Sequence, residues 1–334
     1  MTADEIKAAA ARLQGVTVDT PLLPLPLTRP RLLLKPESLQ PTGSFKLRGA
    51  YAAITALPRP VRARGVVAHS SGNHAYALAH AASLLGIPAA VVVPRNAPEV
   101  KVIPARRLGA QVVACEPTLA ARVAATQELA SHYGYTVIPP FDHPAVIAGQ
   151  GTVGLEIATA FPAADLVLVP VGGGGLISGV ATAISALCPQ ATVIGVEPEL
   201  AADACDSLAQ GVPVQWPSEL TSRTLADALR VEQVGELPLQ HMRKYVAGIV
   251  TVTEGEICEA VRQVAYQARL IAEPGGAVAV AAWLFHRAEL PAAKAPVAVL
   301  SGGNIDPVLL AGIMGAPTPA EAGPGAPPSR WMGH

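Results

Sequence analysis

The sequence is poor in charged and aromatic residues. Only 15% of its 334 residues are charged and 4% are aromatic, whereas 51% are hydrophobic. The net charge is −1 and no basic block is present, so a surface that binds nucleic acid is not expected. A membrane is not expected as a partner either, because the longest apolar runs, such as 275–285, are too short to span a bilayer.

Cysteine is also scarce, and a secretion signal is not evident. The four cysteines form no Cys-x-x-Cys pair, which favours buried thiols in a reducing compartment over disulfides or a zinc site: Cys115, Cys188, Cys205 and Cys258. The first residues, Met-Thr-Ala-Asp-Glu-Ile-Lys, are charged and lack the apolar core of a signal peptide. A cytoplasmic location is therefore expected.

Alanine and valine are abundant, and short apolar runs alternate with helical patterns along most of the chain. The segment 65–69, for example, predicts a buried strand, and a helix closed by Gly86 follows over 75–85. This repeated order predicts an α/β fold with a parallel arrangement of strands. Residues 316–334 are rich in proline, glycine and alanine and are predicted to form a disordered tail.

Lys46 lies between an aromatic and an aliphatic residue in Ser44-Phe-Lys-Leu-Arg-Gly49, just before a predicted helix over 48–57. A lysine at a helix start can be partly buried, and both desolvation and the positive end of the helix disfavour its ammonium form. A neutral amine at pH 7 is the form that condenses with a carbonyl compound. By itself the motif also fits an ordinary helix-start lysine with a solvated head group.

Four consecutive glycines follow a strand predicted over 166–171 and open a helix predicted over 176–187. They let the backbone turn tightly and expose successive N–H groups, which at a helix N-terminus form an anion site suited to phosphate. The spacing of Gly172 to Gly175 matches neither the Gly-x-Gly-x-x-Gly dinucleotide pattern nor the P-loop. A cofactor with one phosphate group is therefore favoured over a plain flexible turn.

Two more turns with polar side chains follow predicted strands, where ligands of open α/β sheets bind. Ser70-Ser-Gly-Asn-His74 is either a helix cap or a loop that binds a carboxylate through hydroxyl and backbone N–H groups. Ser301-Gly-Gly-Asn304 follows a strand predicted over 296–300. The hydroxyl of Ser301 can hydrogen-bond a ring nitrogen, although a plain turn also explains this motif.

The four motifs in this order resemble those of the fold type II pyridoxal-phosphate enzymes, above all the serine/threonine dehydratases (ammonia-lyases) and serine racemases. The resemblance covers roughly residues 5–312 and includes 145–152 and 224–227. It implies a tryptophan synthase β-like α/β fold with two open, mostly parallel sheets flanked by helices. It also implies a large cofactor-binding domain formed by 1–57 and 143–315, a small mobile domain over 58–142, and a homodimer.

The resemblance also implies roles for individual residues. Lys46 is expected to carry pyridoxal 5′-phosphate and, once freed, to remove the Cα proton of the substrate. Phe45 is expected against the ring, Asn73 at its 3′ oxygen, Ser301 at its nitrogen and Glu273 close by. The phosphate group would receive N–H groups from Gly172, Gly173, Gly174, Gly175 and Leu176, and the substrate carboxylate would be held by Ser70, Ser71, Gly72, Asn73 and His74.

The implied reaction is the dehydration of L-serine or L-threonine, a β-elimination through an aminoacrylate that yields a 2-oxo acid and ammonia. Serine racemisation is an alternative, because Ser71 stands where the racemases have a serine that acts as acid or base on the second face of the cofactor. Arg122 matches an arginine that the racemases use near the substrate, but it also fits a solvated helix arginine. Dehydration of 3-hydroxyaspartate and a non-catalytic phosphometabolite-binding protein are further alternatives.

Glu197, Ala201 and Asp203 follow a strand predicted over 192–197 and keep the spacing at which the racemase-like members bind Mg²⁺ or Ca²⁺. Two carboxylates and a backbone carbonyl supply oxygen ligands, which suit these hard cations. Ala202 stands where an acidic residue is common, so a solvated acidic turn is the alternative. Pro41 stands where nucleotide-responsive racemases have a lysine, so activation by ATP is not expected.

Overall fold

A computed structural model describes residues 1–70, 72–95 and 99–316. The predicted disordered tail, from 317 onward, and Ser71 lie outside the described residues. The helices are α1 Ala3–Leu13, α2 Lys46–Ala56, α3 Arg59–Arg62, α4 Asn73–Leu85, α5 Glu99–Arg107, α6 Leu119–Tyr133, α7 Pro144–Ala160, α8 Gly175–Leu187, α9 Asp203–Gln210, α10 Ser218–Thr221, α11 Glu236–Tyr245, α12 Glu254–Gln263, α13 Pro274–Phe285 and α14 Pro307–Gly315. Within this part of the chain, no helix is long and apolar enough to cross a membrane.

The strands form two separate sheets. They are β1 Leu23–Leu25, β2 Leu32–Pro36, β3 Val66–His69, β4 Ala89–Pro94, β5 Gln111–Cys115, β6 Thr136–Val137, β7 Leu166–Pro170, β8 Thr192–Pro198, β9 Gly248–Val252 and β10 Pro296–Leu300. One sheet has the order β1-β2-β10-β7-β8-β9 and is parallel except for β1; the other has the order β5-β4-β3-β6 and is parallel throughout. The predicted α/β fold with two open, mostly parallel sheets is therefore confirmed.

Helices cover both faces of each sheet, which explains why the strands are almost wholly apolar. Every residue of β7 and β10 is buried. Side chains of α12 and α13 pack on one face of the six-stranded sheet, and side chains of α8 and α11 pack on the other. The four-stranded sheet lies between α4 and α5 on one side and α6 on the other.

Parallel pairing brings the carboxyl ends of particular strands together. β10 pairs with β7, so the segment that begins at Ser301 starts beside the four-glycine turn. β3 pairs with β6, so the segment that begins at Ser70 starts beside Ile138. The glycine turn and the two turns with polar side chains therefore all lie at strand ends, where a ligand can reach them.

Several elements of the structure differ from the sequence prediction. The sequence pattern predicts no regular element between the strand over 192–197 and about residue 222, but helix α9 lies there. The carboxylate of Glu197 accepts N–H groups of its first turn, from Ala204 and Cys205. The sequence pattern predicts a helix over 148–160, but helix α7 begins four residues earlier, at Pro144, because proline suits the first helical turn. Helix α14 and the antiparallel strand β1 were not predicted from the sequence.

A buried cluster of charges holds the start of α2. The Arg48 guanidinium is fully buried; it donates to Glu37 at 2.7 and 2.9 Å and to Glu156 at 2.5 and 2.8 Å. The Lys35 amine, also buried, lies 2.5 Å from Glu156. Burial alone would raise the pKa of Glu37, but the charge and hydrogen bonds of Arg48 lower it. Since Lys46 is the first residue of α2, the cluster ties its helix to β2 and α7.

Replacing Arg48 by methionine should destabilise the fold strongly, because two carboxylates would share the single remaining cation in a buried site. We expect the free energy of unfolding in urea to fall by about 3–5 kcal/mol. Arg59→Met, a change at an exposed position of α3, is the matched control and should stay within about 0.5 kcal/mol of the parent. A loss below about 1 kcal/mol for Arg48→Met would show that the cluster does not hold this region.

Candidate active site

A cavity of about 770 Å³ lies between the carboxyl ends of the two sheets. It is lined by every described residue that the sequence predicted for the cofactor or the substrate: Phe45, Lys46, Ser70, Gly72, Asn73, His74, Arg122, Gly172, Gly173, Gly174, Gly175, Leu176, Glu273 and Ser301. Their individual roles stay predictions. The group Glu197, Ala201 and Asp203 does not line the cavity.

Backbone pairing places Lys46 beside the end of β10. Ser44 and Gly302 form an antiparallel bridge, and the N–H of Phe45 donates to the carbonyl of Ser301 at 3.1 Å. The segment before the lysine is thus joined to the segment that carries Ser301. Lys46 then begins α2 with its side chain in the cavity wall.

The environment of the Lys46 amine favours its neutral form. The amine donates to the carbonyl of Pro140 at 2.9 Å and lies 5.0 Å from the centre of the Phe45 ring. Desolvation lowers the pKa of Lys46 to about 8, against the opposing effect of the Glu273 carboxylate. The amine therefore becomes neutral within reach of physiological pH.

The four-glycine turn forms an open anion cradle. Helix α8 begins at Gly175, and Gly174 has a φ of 84°. In the described part of the chain, no protein oxygen accepts the N–H groups of Gly172 to Leu176. A β-carbon added at Gly173 would overlap the ring of Phe141, so only glycine fits here. Free N–H groups at a helix N-terminus suit a phosphate group.

Three polar side chains lie near the lysine in the cavity wall. Ser301 is 4% exposed, and its hydroxyl is 3.5 Å from the carbonyl of Gly275, too long for a strong hydrogen bond. The amide of Asn73 donates to the Glu273 carboxylate at 2.7 Å. A neutral hydroxyl, an amide and a carboxylate thus line the same cavity as the glycine turn.

His74 is a neutral residue with one free acceptor. Its Nε2 lies 2.8 Å from the carbonyl of Ile138 and must donate to it, so Nδ1, which has no partner, carries the lone pair. Burial, together with the charge of Lys46, lowers the pKa of His74 to about 3. The ring therefore has no N–H left to donate to a carboxylate. If His74 binds the substrate carboxylate, its backbone N–H at the start of α4 is the suitable donor.

Arg122 lies on α6, lines the cavity and is half-buried. Its Nε is buried and has no hydrogen-bond partner among the described residues. Burial lowers the pKa of His69, which also lines the cavity, and the Arg122 charge lowers it further. The guanidinium thus presents positive charge to the cavity rather than lying wholly in solvent.

Glu197, Ala201 and Asp203 form a separate group behind the strand end of β8. Both carboxylates are fully buried. The backbone N–H groups of Asp203 and Val234 lie near the Asp203 carboxylate, but in the described part of the chain none makes a well-aligned hydrogen bond to its oxygens. Burial raises the pKa of Asp203 to about 7, and burial together with the Asp203 charge raises the pKa of Glu197. Among the described residues, no set of three His, Cys, Asp or Glu side chains could hold a metal. A cation here would depend on two carboxylates and a carbonyl.

Sequence reasoning missed the segment 138–142, which follows β6 and enters the cavity. Its contributions are the carbonyls of Ile138 and Pro140, the Phe141 ring and the Asp142 carboxylate, which accepts the first N–H groups of α11 at 3.1 and 3.2 Å. Backbone carbonyls leave no side-chain signal. The available signal was positional, since a segment that follows a parallel strand reaches the ligand side of the sheet.

The lowered pKa of Lys46 can be measured through its reactivity with pyridoxal phosphate, the cofactor expected from the motifs. We expect the rate at which the cofactor-free chain gains a visible chromophore to rise with pH and level off above a midpoint of about 8. Glu273→Gln should move this midpoint to lower pH, because the carboxylate stabilises the ammonium form. Lys46→Arg, which has no reactive amine at this position, is the control variant. The same reaction of pyridoxal phosphate with a small primary amine gives the pH dependence of the reagent itself, and the measured rates are corrected for it. A midpoint near that of free lysine would contradict the burial of the amine.

Comparison with known proteins agrees with the features of this cavity. The family described as pyridoxal-phosphate dependent enzyme matches residues 13–302. An L-threonine ammonia-lyase of Thermotoga maritima is 42% identical over 310 residues, which are 92% of this chain and 76% of that protein. An L-threo-3-hydroxyaspartate ammonia-lyase of Saccharomyces cerevisiae is 36% identical over 309 residues, which are 91% of this chain and 94% of that protein.

A solved structure shows the same fold over nearly the whole chain. The structure of maize serine racemase matches with a TM-score of 0.89 and 34% identity, covering 94% of this chain and 96% of the other. The resemblance inferred from the four sequence motifs is therefore confirmed. The chain belongs to the family of pyridoxal-phosphate dependent enzymes and has the fold of its fold type II members.

Proposed function

We propose that the chain is an ammonia-lyase that dehydrates L-threonine or L-serine to a 2-oxo acid and ammonia. The observation that carries the proposal is the desolvated amine of Lys46 in one cavity with the anion cradle of the glycine turn. The Thermotoga maritima relative, an L-threonine ammonia-lyase, supports it. A non-catalytic phosphometabolite-binding protein would have no use for a lysine with a lowered pKa.

The side chains of the cavity fit pyridoxal 5′-phosphate. Lys46 would bind its aldehyde carbon, the N–H groups of Gly172 to Leu176 its phosphate group, Asn73 its 3′ oxygen and Ser301 its ring nitrogen, with Phe45 against the ring. When bound, the cofactor withdraws electrons from the substrate and makes its Cα proton acidic. The protein has to orient the substrate, take that proton and keep water away.

The Lys46 amine is the base that this site offers for the Cα proton. It is neutral at a pH where an exposed lysine is an ammonium ion. Once it is protonated, the Pro140 carbonyl accepts one of its N–H groups, and the Glu273 carboxylate stabilises its charge. A base with a pKa near the working pH transfers protons in both directions efficiently.

Ser301 sets how strongly electrons are drawn into the ring. A hydroxyl is neutral and, unlike a carboxylate, does not hold a proton on a ring nitrogen. When the ring withdraws electrons less strongly, the substrate loses its β-hydroxyl group promptly and does not persist as a long-lived carbanion. Ser301 therefore supports elimination as the main reaction.

Movement of the small unit, 58–142, against 1–57 and 143–315 is also part of the proposal. The cavity wall takes residues from both units, so closure would exclude water from the reacting groups. A homodimer is proposed from the family resemblance. A cytoplasmic location is proposed from the four free thiols.

Dehydration of 3-hydroxyaspartate is the second candidate, and Arg122 favours it. Its half-buried guanidinium faces the cavity with an unpartnered Nε, and a second substrate carboxylate would supply the missing acceptor. The Saccharomyces cerevisiae relative, an L-threo-3-hydroxyaspartate ammonia-lyase, supports this candidate.

Serine racemisation is supported by the similarity to maize serine racemase, and for it Ser71 stays the predicted second acid or base.

A divalent cation, Mg²⁺ or Ca²⁺, is proposed at Glu197, Ala201 and Asp203. The two buried carboxylates repel each other, and among the described residues no donor makes a well-aligned hydrogen bond to the oxygens of Asp203, so a cation would stabilise both carboxylates. The carbonyl of Ala201 and water would complete an all-oxygen shell. The ion would stabilise the end of β8 and the start of α9.

Incubation with L-threonine, L-serine and L-threo-3-hydroxyaspartate, with oxo acid and D-amino acid measured in parallel, tests the reaction. We expect oxo acid from threonine and serine, and its complete loss in Lys46→Ala. If hydroxyaspartate is the preferred substrate, Arg122→Ala should raise its KM at least tenfold, roughly the effect of one charged hydrogen bond, and leave threonine unaffected. D-serine formed faster than pyruvate, and abolished by Ser71→Ala, would overturn the ammonia-lyase assignment.

Thermal unfolding of chelator-treated protein tests the cation. Saturating Ca²⁺ or Mg²⁺ should raise Tm by several degrees, since about 100-fold excess over Kd stabilises by about 2.7 kcal/mol. Asp203→Asn should also raise Tm in the presence of chelator, because it removes the repulsion, but it should lose the response to cation. Glu219→Gln, at an exposed position, should respond like the parent. An unchanged Tm with both cations would refute the site.

A further inference from the structure

Asn304, the last residue of the motif Ser301-Gly-Gly-Asn304, connects the two units of the chain. Its Nδ2 donates to the carbonyl of Thr42 at 2.8 Å and to Oδ1 of Asn73 at 2.7 Å. Asn73 in turn donates from Nδ2 to Oε1 of Glu273 at 2.7 Å. Asn73 begins α4, next to the four-stranded sheet, whereas the other three residues belong to the unit of the six-stranded sheet.

The direction of donation along this chain of hydrogen bonds follows from its two ends. A backbone carbonyl only accepts, so the atom of Asn304 that faces Thr42 is its NH₂ group. That group then faces Asn73, which must present its oxygen. At the other end a carboxylate accepts from the NH₂ group of Asn73. Both neighbours therefore impose the same orientation on the Asn73 amide.

The orientation decides what Asn73 offers to the cavity. An amide nitrogen carries two hydrogens, and one of those on Asn73 is used by Glu273. The second remains for an acceptor in the cavity that Asn73 lines. With the amide reversed, Asn73 would turn an oxygen toward the Glu273 carboxylate and would lose this donor.

Two glycines leave room for the hydrogen-bonded side chains of Asn304 and Glu273. Gly43 has a φ of 68°, and a β-carbon there would overlap the amide of Asn304. A β-carbon at Gly302 would overlap the Glu273 carboxylate. Glycine at both positions lets the two side chains lie directly against the backbone that positions Lys46.

We propose that Asn304 is a positioning residue that holds the Asn73 amide as a hydrogen-bond donor toward the cofactor site and latches the start of α4 to the segments 42–45 and 301–304. The part of the proposal that concerns the cofactor rests on the proposed function. The latch rests on the hydrogen bonds alone. Asn304 acts through Asn73, so its effect disappears when the Asn73 amide is absent.

Asn304→Asp, Asn304→Ala, Asn73→Ala and the double variant Asn73→Ala/Asn304→Asp test the proposal. The first readout is the pH dependence of the visible spectrum of the holoenzyme, which reports donors at the cofactor. The second is hydrogen exchange of the backbone amides of 73–76 in the cofactor-free chain. The third is kcat/KM for elimination.

We expect Asn304→Asp to do more damage than Asn304→Ala, because the aspartate turns an acceptor toward the oxygens of Thr42 and Asn73. Asn304→Asp should shift the spectral titration, speed exchange at 73–76 and lower kcat/KM about tenfold, the size of one hydrogen bond. In the Asn73→Ala background the same change should alter kcat/KM by less than about twofold. A mere packing role predicts the reverse order, with alanine worse than aspartate.

The proposal is overturned if Asn304→Asp keeps the parent spectrum and exchange rates. It is also overturned if the loss of kcat/KM in the double variant equals the product of the losses in Asn304→Asp and Asn73→Ala. Failure of the proposed function has a different signature. In that case the parent chain would eliminate none of the hydroxy amino acids, while faster exchange at 73–76 in Asn304→Asp would still establish the latch.

Discussion

The chemistry of this chain depends on one primary amine, Lys46, whose pKa is lowered to about 8 although the charge of a buried carboxylate, Glu273, opposes this. Desolvation of Lys46 and the charge of Glu273 act in opposite directions, and desolvation has the larger effect. Within the described part of the chain the amine makes no ion pair, and its one hydrogen bond goes to the carbonyl of Pro140. A dipole stabilises the ammonium form less than an ion pair does, so the pKa falls while the amine stays oriented.

Keeping the amine in place requires a rigid support on the side of the six-stranded sheet. The support consists of the Arg48 cluster behind α2 and the backbone pairing of 42–45 with 301–304. Buried ion pairs contribute little net stability, but they become costly when one partner is displaced. They therefore resist movement of the helix start more than they stabilise the fold. The same backbone pairing keeps Ser301 at a constant position relative to Lys46.

Much of the fold and most of the site could be predicted because their determinants are local. Alternating strands and helices, the four-glycine turn and Lys46 before a helix are each visible within a few residues, and the cavity brings together every predicted cofactor residue. Helix α9 could not be predicted, because its first N–H groups are capped by Glu197 from outside the helix. The role of Pro140 could not be predicted either, since it uses a backbone carbonyl that any residue would supply. Asn304 was visible as a motif residue, but its partners lie 231 and 262 positions away.

The hydrogen bond of the Lys46 amine crosses the boundary between the two proposed units, 58–142 and the rest of the chain. Movement of the units would therefore affect the pKa of the amine. Lys46 is anchored to the large unit, but the carbonyl it donates to, Pro140, belongs to the segment proposed to move. The start of α4 is held by hydrogen bonds of the Asn73 amide to Asn304 and to the Glu273 carboxylate. Opening would separate Lys46 from Pro140 and admit water, which stabilises an ammonium ion better than one carbonyl does. The pKa of Lys46 would then rise toward that of free lysine, so under the proposed movement the amine would act as a base only while the two units are together. Domain closure and activation of the base are, on this view, one event.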